Sequence, residues 1–403
     1  KQFDQYKKQR NKVSTMIRES KKNYISTLIN TNSNTAFLWQ AMNEVTGKNN
    51  KKANTSNIPH SAENFNKHFL SLTENILPST VIDSTSYVVP PILNDYINDR
   101  RDPNDNCEIP LMEISNVAEY IMSLKNKKSS GLDNINSFLL KISLPFIVAS
   151  LTYIYNLCIE KHTFPFSFKT AKVIPIPKTK DLSDINNYRP ISLLSVLSKP
   201  IEKHIYKHIN LFMTNLNLFH PHQSGFRENH SCSTALIRLC DTWLTAINKG
   251  ELNGAVYIDL KKAFDLVDHH ILLQKTSAYL NNSSTLCLLS SYLENRCQLV
   301  FLNGNLSSTG TIKCGVPQGS ILGPLLFLIY INDLPLHISE KNVNLDLFAD
   351  DGSLHSSHKQ LTSLEISLQT SLNDINDWCN NNRMAIHPKK SKSMIQSAPP
   401  IST

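Results

Sequence analysis

The chain has 403 residues, 40% of them apolar and 18% charged, with a formal charge of +8 at neutral pH. That balance excludes a disordered or fibrous chain, and the length allows one large or two intimate domains around a sizeable core. The eight cysteines, at 107, 158, 232, 240, 287, 297, 314 and 379, form no Cys-x-x-Cys pair and no zinc spacing with histidine. They exclude a zinc module and read as reduced intracellular thiols. The longest apolar run, Ile321 to Ile331, contains Gly323 and Pro324 and is too short to cross a bilayer, and no signal peptide opens the chain. A soluble protein with no membrane partner is expected. Because it starts at Lys1 and ends in a Pro-Pro-containing tail, it is expected to be a segment of a longer polypeptide.

The charge is uneven. Residues 1–53 hold 11 Lys/Arg against 3 Asp/Glu, so the whole excess lies there and residues 54–403 are neutral. Two readings of such a block stay open: a nucleic-acid contact driven by counterion release, and a solvated helix face. Tyr6, Val13, Ile17, Tyr24 and Leu28 recur at steps of seven and four, which predicts a helix with one apolar stripe. Residues 49–60 and the stretch from Pro90-Pro91 to Asn106 are polar and turn-rich, so 54–109 reads as linker-like.

From Ile114 the pattern turns globular. A helix over about 115–126 breaks at the basic loop Lys127-Lys128-Ser129-Ser130-Gly131-Leu132-Asp133, which suits either phosphate binding or an ordinary turn. A core helix over about 136–160 follows. Ala171 to Lys178 reads as a short strand, placed at an edge because Pro175 and Pro177 cannot donate to a ladder. With Tyr188-Arg189-Pro190-Ile191-Ser192 it predicts a two-stranded finger carrying Lys178 and Arg189. These two are surface charges or, as a pair, a clamp for a triphosphate, the arginine as fork and the lysine as point charge.

Helices over about 194–215 and 231–247 flank Gln223-Ser224-Gly225-Phe226-Arg227. Gly254 to Leu260 then reads as a buried strand ending on Asp259, an acid in need of a partner. His269 and His270 lack a third ligand at metal spacing and read as helix-terminus residues. A second hairpin is expected to turn at Asn303-Gly304 and to lead into the irregular Gly315-Val316-Pro317-Gln318-Gly319-Ser320. There Ser320 caps an apolar helix running to about Asn332. Finally, Leu345 to Ala349 reads as a strand closing on a hairpin tip with Asp350 and Asp351, its turn made by Asp351-Gly352.

Three acids thus stand at strand ends. Brought side by side, such carboxylates can hold two Mg²⁺ about 4 Å apart, the arrangement that activates a 3′-hydroxyl and stabilises leaving pyrophosphate. The chemistry fits nucleotidyl transfer.

Seven motifs carry a resemblance. They are the loop 127–133, Val173 to Lys178, Asn187 to Ser192, Gln223 to Arg227, Tyr257 to Asp265, Gly315 to Pro324, and Phe348-Ala349-Asp350-Asp351. In this order they resemble the reverse transcriptases of non-LTR (LINE-type, jockey-like) retrotransposons over roughly residues 110–395. The resemblance implies an α+β right-hand polymerase with fingers and N-terminal part at 110–250, palm at 251–395, a basic connector at 1–53 and a tail at 396–403. The thumb and the endonuclease would belong to adjoining regions of a polyprotein.

It further implies Asp259, Asp350 and Asp351 as ligands of two Mg²⁺ ions, with the Leu260 carbonyl beside them. Lys178 and Arg189 would hold the incoming triphosphate, and Gln318 and Gly319 would lie under the templating pair. Phe264 would be the ring that rejects a ribose 2′-hydroxyl. Trp378 and the run from Asn382 to Ser391 resemble the next palm motif, with Lys390 donating a proton to pyrophosphate and Lys389 and Lys392 as neighbours able to replace it. His387 stands where the family has asparagine, and Phe348 where tyrosine is commoner.

The implied activity is RNA-directed DNA synthesis from template RNA, primer DNA and dNTPs, in the nucleus after a cytoplasmic ribonucleoprotein stage. The alternatives are an inactive nucleic-acid-binding remnant and a relative making RNA or serving as an intron maturase.

Overall fold

The computed structural model describes residues 2–31, 58–71, 84–179 and 181–396. The chain divides into two units, Lys1–Pro59 and His60–Thr403. In the first, Gln2–Thr31 is one continuous helix. Tyr6, Val13, Ile17 and Tyr24 are each more than half exposed along it, and the side chain of Leu28 lies outside the described residues. Most of the expected linker at 49–60 also lies outside them.

The second unit is α+β and holds two sheets. One has the order β2-β1-β4-β5 with β6 also on β4, from β1 (Thr170–Pro177), β2 (Tyr188–Leu193), β4 (Cys297–Leu302), β5 (Asn305–Leu306) and β6 (Gly310–Thr311). The other has the order β7-β8-β3-β9, from β3 (Leu252–Asp259), β7 (Val343–Phe348), β8 (Asp351–His358) and β9 (Lys392–Gln396). The expected boundary at residue 250 does not separate them. Strand β4 pairs in parallel with β1, and Gln223 bridges to Leu347 on β7.

The core runs between the sheets and their helices. Helix Leu322–Ile331 has every residue from Leu325 to Ile331 buried, as expected for a helix apolar on all sides. One face of the four-stranded sheet packs on helix Leu361–Asn381, where Gly254 leaves room for Leu364 and Leu368; a Cβ at that glycine would lie 2.8 Å from Leu368 Cδ1. Helix Ser137–Glu160 is the one helix among the described residues long and apolar enough to cross a membrane, and a longer apolar segment than the run at 321–331. Here it contributes Leu140, Leu144, Leu151, Tyr155 and Ile159 to the core.

Three expectations need correction. Residues 54–109 are not linker throughout. Helix Pro91–Asn98 starts on a proline, as a first turn tolerates, and buries Leu93, Tyr96 and Ile97 in the core. Helix Ala62–Ser71 likewise buries Phe65 edge-on to Tyr188 and ties Asn66 to the Ser308 carbonyl at 2.8 Å. Polar composition hid these because each helix buries only one side.

Strand β1 is interior rather than an edge. Its ladder with β4 ends at Val173, while that with β2 runs on to Pro177. Pro175 faces Pro190 across β2, a pair that exchanges no N–H bond, so the missing donors of Pro175 and Pro177 point to the side that β4 has vacated.

The acid hairpin turns one residue pair earlier than the Asp-Gly dipeptide suggests. Phe348 pairs with Asp351, leaving Ala349 and Asp350 as the turn, and Gly352 lies in β8 opposite Ile258 and Leu347.

Candidate active site

Asp259 is the last residue of β3 and Asp351 the first of β8, and they are register partners. Asp350 precedes Asp351 in the turn, so two strand ends and one turn gather all three acids. Burial first, and then the charges of Asp351 and Asp259, push the Asp350 carboxyl above its ordinary value; burial and Asp259 do the same to Asp351. Lys390 faces this negative surplus, its Nζ 3.3 Å from Asp259 Oδ2. Lys392 instead lies in β9 opposite Tyr257, and Lys389 lines the neighbouring cavity.

The segment before Lys390 fixes the end of β3. His387 N–H donates to the Asp259 carbonyl and Lys261 N–H to the Ala385 carbonyl, both at 2.7 Å. These bonds engage the carbonyl of Asp259 rather than that of Leu260, whose side chain is buried. Trp378 is wholly buried and serves the core.

Lys178 and Arg189 sit at the far end of the β1–β2 hairpin, where Arg189 pairs with Ile176. Burial, then the charges of Arg189 and Lys390, hold the Lys178 ammonium below its ordinary value, with Asp265 opposing. The hairpin cations therefore share one electrostatic neighbourhood with Lys390. Gln318 donates from Nε2 to Asp265 Oδ1 at 2.9 Å and accepts the Ser192 N–H at 3.2 Å. Gly319, at φ +131°, must be glycine: a Cβ there would lie 2.5 Å from the Ser192 carbonyl oxygen. Ser320 Oγ accepts the Gly323 N–H at 2.9 Å from one residue ahead of the helix's N-cap, which is Ile321 rather than the expected Ser320.

Phe264 is stacked on Phe327, with ring centroids 4.4 Å apart, and Phe226 meets it edge-on at 6.1 Å. A cavity of about 810 Å³ adjoins the acids, lined among others by Asp259, Asp351, Phe348, Leu236 and Lys390. The loop 127–133 lies elsewhere: Gly131 packs on Leu194 and Ser195, and Asp133 accepts the Ser195 hydroxyl at 2.5 Å. That loop is a packed turn with exposed lysines.

Two features had no local signal. Gln223 is fully buried and reaches the acid turn: its Oε1 accepts the N–H groups of Gly225 (2.8 Å) and Ala349 (3.0 Å), and its Nε2 donates to the Ala349 carbonyl at 3.4 Å. Asp346, on β7, is hydrogen-bonded to His355 at 3.0 Å, lies 2.8 Å from His222 Nδ1 and pairs with Arg238. Burial alone would raise the Asp346 carboxyl, but His222, His355 and the Arg238 charge beside it hold it well below the ordinary range.

A depressed carboxyl contributes stability that is present above its unfolded value of about 3.9 and is lost as pH falls toward the folded value. Between about pH 4 and pH 2, the urea midpoint of the wild-type chain should therefore fall more steeply than that of Asp346→Asn. Parallel curves for the two proteins would remove this role.

Comparison with known proteins agrees with the geometry. Residues 176–400 match the family described as reverse transcriptase (RNA-dependent DNA polymerase), and residues 1–34 match the female sterile protein K10 C-terminal domain. The chain is 34% identical over 300 residues to the probable RNA-directed DNA polymerase from transposon BS of Drosophila melanogaster, covering 71% of this chain and 33% of that one. It is 30% identical over 288 residues to the RNA-directed DNA polymerase from mobile element jockey of the same organism, covering 70% and 31%. A putative COX1/OXI3 intron 2 protein of Saccharomyces cerevisiae is 24% identical over 252 residues, covering 62% and 27%. The chain spans about a third of the length of the first two relatives. With the acids, the Gln318-Gly319 loop and the hairpin cations inside or beside the matched region, the chain belongs to the reverse transcriptase family, on its non-LTR retrotransposon branch.

Proposed function

We propose that this chain is the polymerase part of a retrotransposon reverse transcriptase, extending a DNA 3′-hydroxyl on an RNA template with dNTPs. The observation that carries the reading is the β3–β8 register, which sets Asp259 opposite Asp351 and beside Asp350, with Lys390 against Asp259. In this reading the four-stranded sheet is the palm and the β1–β2 hairpin the fingers.

The acid set fits a hard divalent cation. All its donors are oxygens, and burial, with the neighbouring carboxylates adding to it, holds the Asp350 and Asp351 carboxyls above their ordinary value. Among the described residues no three His, Cys, Asp or Glu side chains close around a single point. Asp259, Asp350 and Asp351, with the Leu260 carbonyl, would hold two Mg²⁺ only together with oxygens of the substrate. When bound, the ions make the 3′-hydroxyl a better nucleophile and offset charge on the leaving pyrophosphate.

The chain's own groups do the rest. Lys178 and Arg189, side by side on the hairpin, would accept the triphosphate and orient it toward the acids. Lys390 is placed to move from Asp259 to the pyrophosphate and give it a proton. Gln318, held by Asp265 and Ser192, forms the floor below the base pair. Phe264 cannot retreat, because Phe327 stacks beneath it, so its ring excludes a 2′-hydroxyl.

The test of the activity is Mg²⁺-dependent primer extension on an RNA template. Within it, Phe264→Val should lower the preference for deoxy- over ribonucleotides by about a hundredfold, since a site can reject a group it has no room for. An unchanged preference would take the gate away from Phe264.

A further inference from the structure

The turn that carries Asp350 adopts a conformation that its own sequence does not favour. Ala349, immediately before Asp350, is left-handed at φ +58° and nearly fully buried, although it is neither glycine nor asparagine. Its backbone dihedrals set where the Asp350 carboxylate points. Something outside the hairpin must hold them.

The segment from His222 to Gly225 does so. Leu347 N–H donates to the His222 carbonyl and Ser224 N–H to the Leu347 carbonyl, each at 2.8 Å, so Gln223 forms a single parallel bridge to Leu347 on β7. Where the backbone pairing stops, the Gln223 carboxamide takes over, gripping both the N–H and the C=O of Ala349. A carboxamide offers an acceptor and a donor in one plane, spaced as in a peptide group. Gly225 completes the contact, because a Cβ there would lie 2.2 Å from the Ala349 nitrogen.

We propose that Gln223 is a positioning residue for the metal-binding acids, fixing Ala349 in its left-handed state and thereby aiming the Asp350 carboxylate. This rests on the reading of Asp259, Asp350 and Asp351 as cation ligands. Its consequence is affinity for the cation, which can be measured without catalysis.

The probe is Mn²⁺, titrated into the chain as described and followed by electron paramagnetic resonance, for wild type, Asp350→Asn, Gln223→Met and Gln223→Leu. The last two keep the buried volume and delete the three hydrogen bonds. Both should bind Mn²⁺ about tenfold more weakly than wild type, in the direction of Asp350→Asn, with far-UV circular dichroism unchanged. Folded Gln223 variants with wild-type affinity overturn the proposal, and so does a wild-type chain that binds no Mn²⁺.

Amide hydrogen exchange in the wild type decides the matter should both variants misfold. The Ala349 N–H should exchange as slowly as those of β8, and rapid exchange overturns the brace. Mn²⁺ binding that depends on Gln223 in a chain that extends no primer would leave this proposal standing and sink the polymerase reading.

Discussion

Asp350→Asn should cut primer extension by about a thousandfold or more, close to 4 kcal/mol of transition-state stabilisation. The substitution is nearly isosteric and keeps the turn, so the loss would come from charge. Burial first, and then the charges of Asp351 and Asp259, raise the Asp350 carboxyl, and a bound cation would offset both. An amide there relieves the repulsion and removes the reason for the cation to bind. For that reason Asp350→Asn should equal or exceed the wild-type chain in thermal stability without metal while losing activity. A variant that extends primers at near wild-type rate would move the chemistry away from this turn. One that loses activity and stability together would point to a structural carboxylate.

The largest effect on stability should come from a different pair. Lys275 and Asp333 are both fully buried, with Nζ 2.6 Å from Asp333 Oδ1 and 2.7 Å from the Tyr330 carbonyl, above the ring of Trp378 at 4.8 Å. Burial holds the Lys275 ammonium below its ordinary value, opposed by the charge of Asp333. Lys275→Met leaves Asp333 as a lone buried charge and should cost about 3–5 kcal/mol in denaturant unfolding. The double variant Lys275→Met with Asp333→Leu should recover most of that loss, because an apolar pair of similar volume replaces an ion pair at little cost. Equal unfolding midpoints for the single variant and the wild type would show that the pair is not held as a charge pair.

What the sequence made legible follows from range. The placement of Asp259 at the end of β3 and of Asp350 just past β7 could be read because an apolar strand running into an acid is a local contradiction. The apolar helix before Asn332 and the β1–β2 hairpin were legible for the same reason: their signals lie within a dozen residues. The turn at Ala349-Asp350 was not, because Asp351-Gly352 is the better local turn and the true one is imposed by Gln223 from more than a hundred residues away. Lys275 and Asp333 likewise have no mutual spacing in the sequence, and each alone reads as an ordinary surface charge. The helix Pro91–Asn98 was hidden by its polar half, since one buried side of three residues sits below what periodicity can register.

The two prolines of β1 have an effect beyond the local ladder. Past Val173 the strand has, among the described residues, a strand neighbour on one side only, and a bare strand rim normally invites a second chain to zip on. Pro175 and Pro177 present carbonyls there but no hydrogen to give, so an approaching strand finds every second rung missing. The rim nearest Lys178 and Arg189 thus lacks the donors that strand pairing would need, a protection supplied by covalent structure rather than by charge.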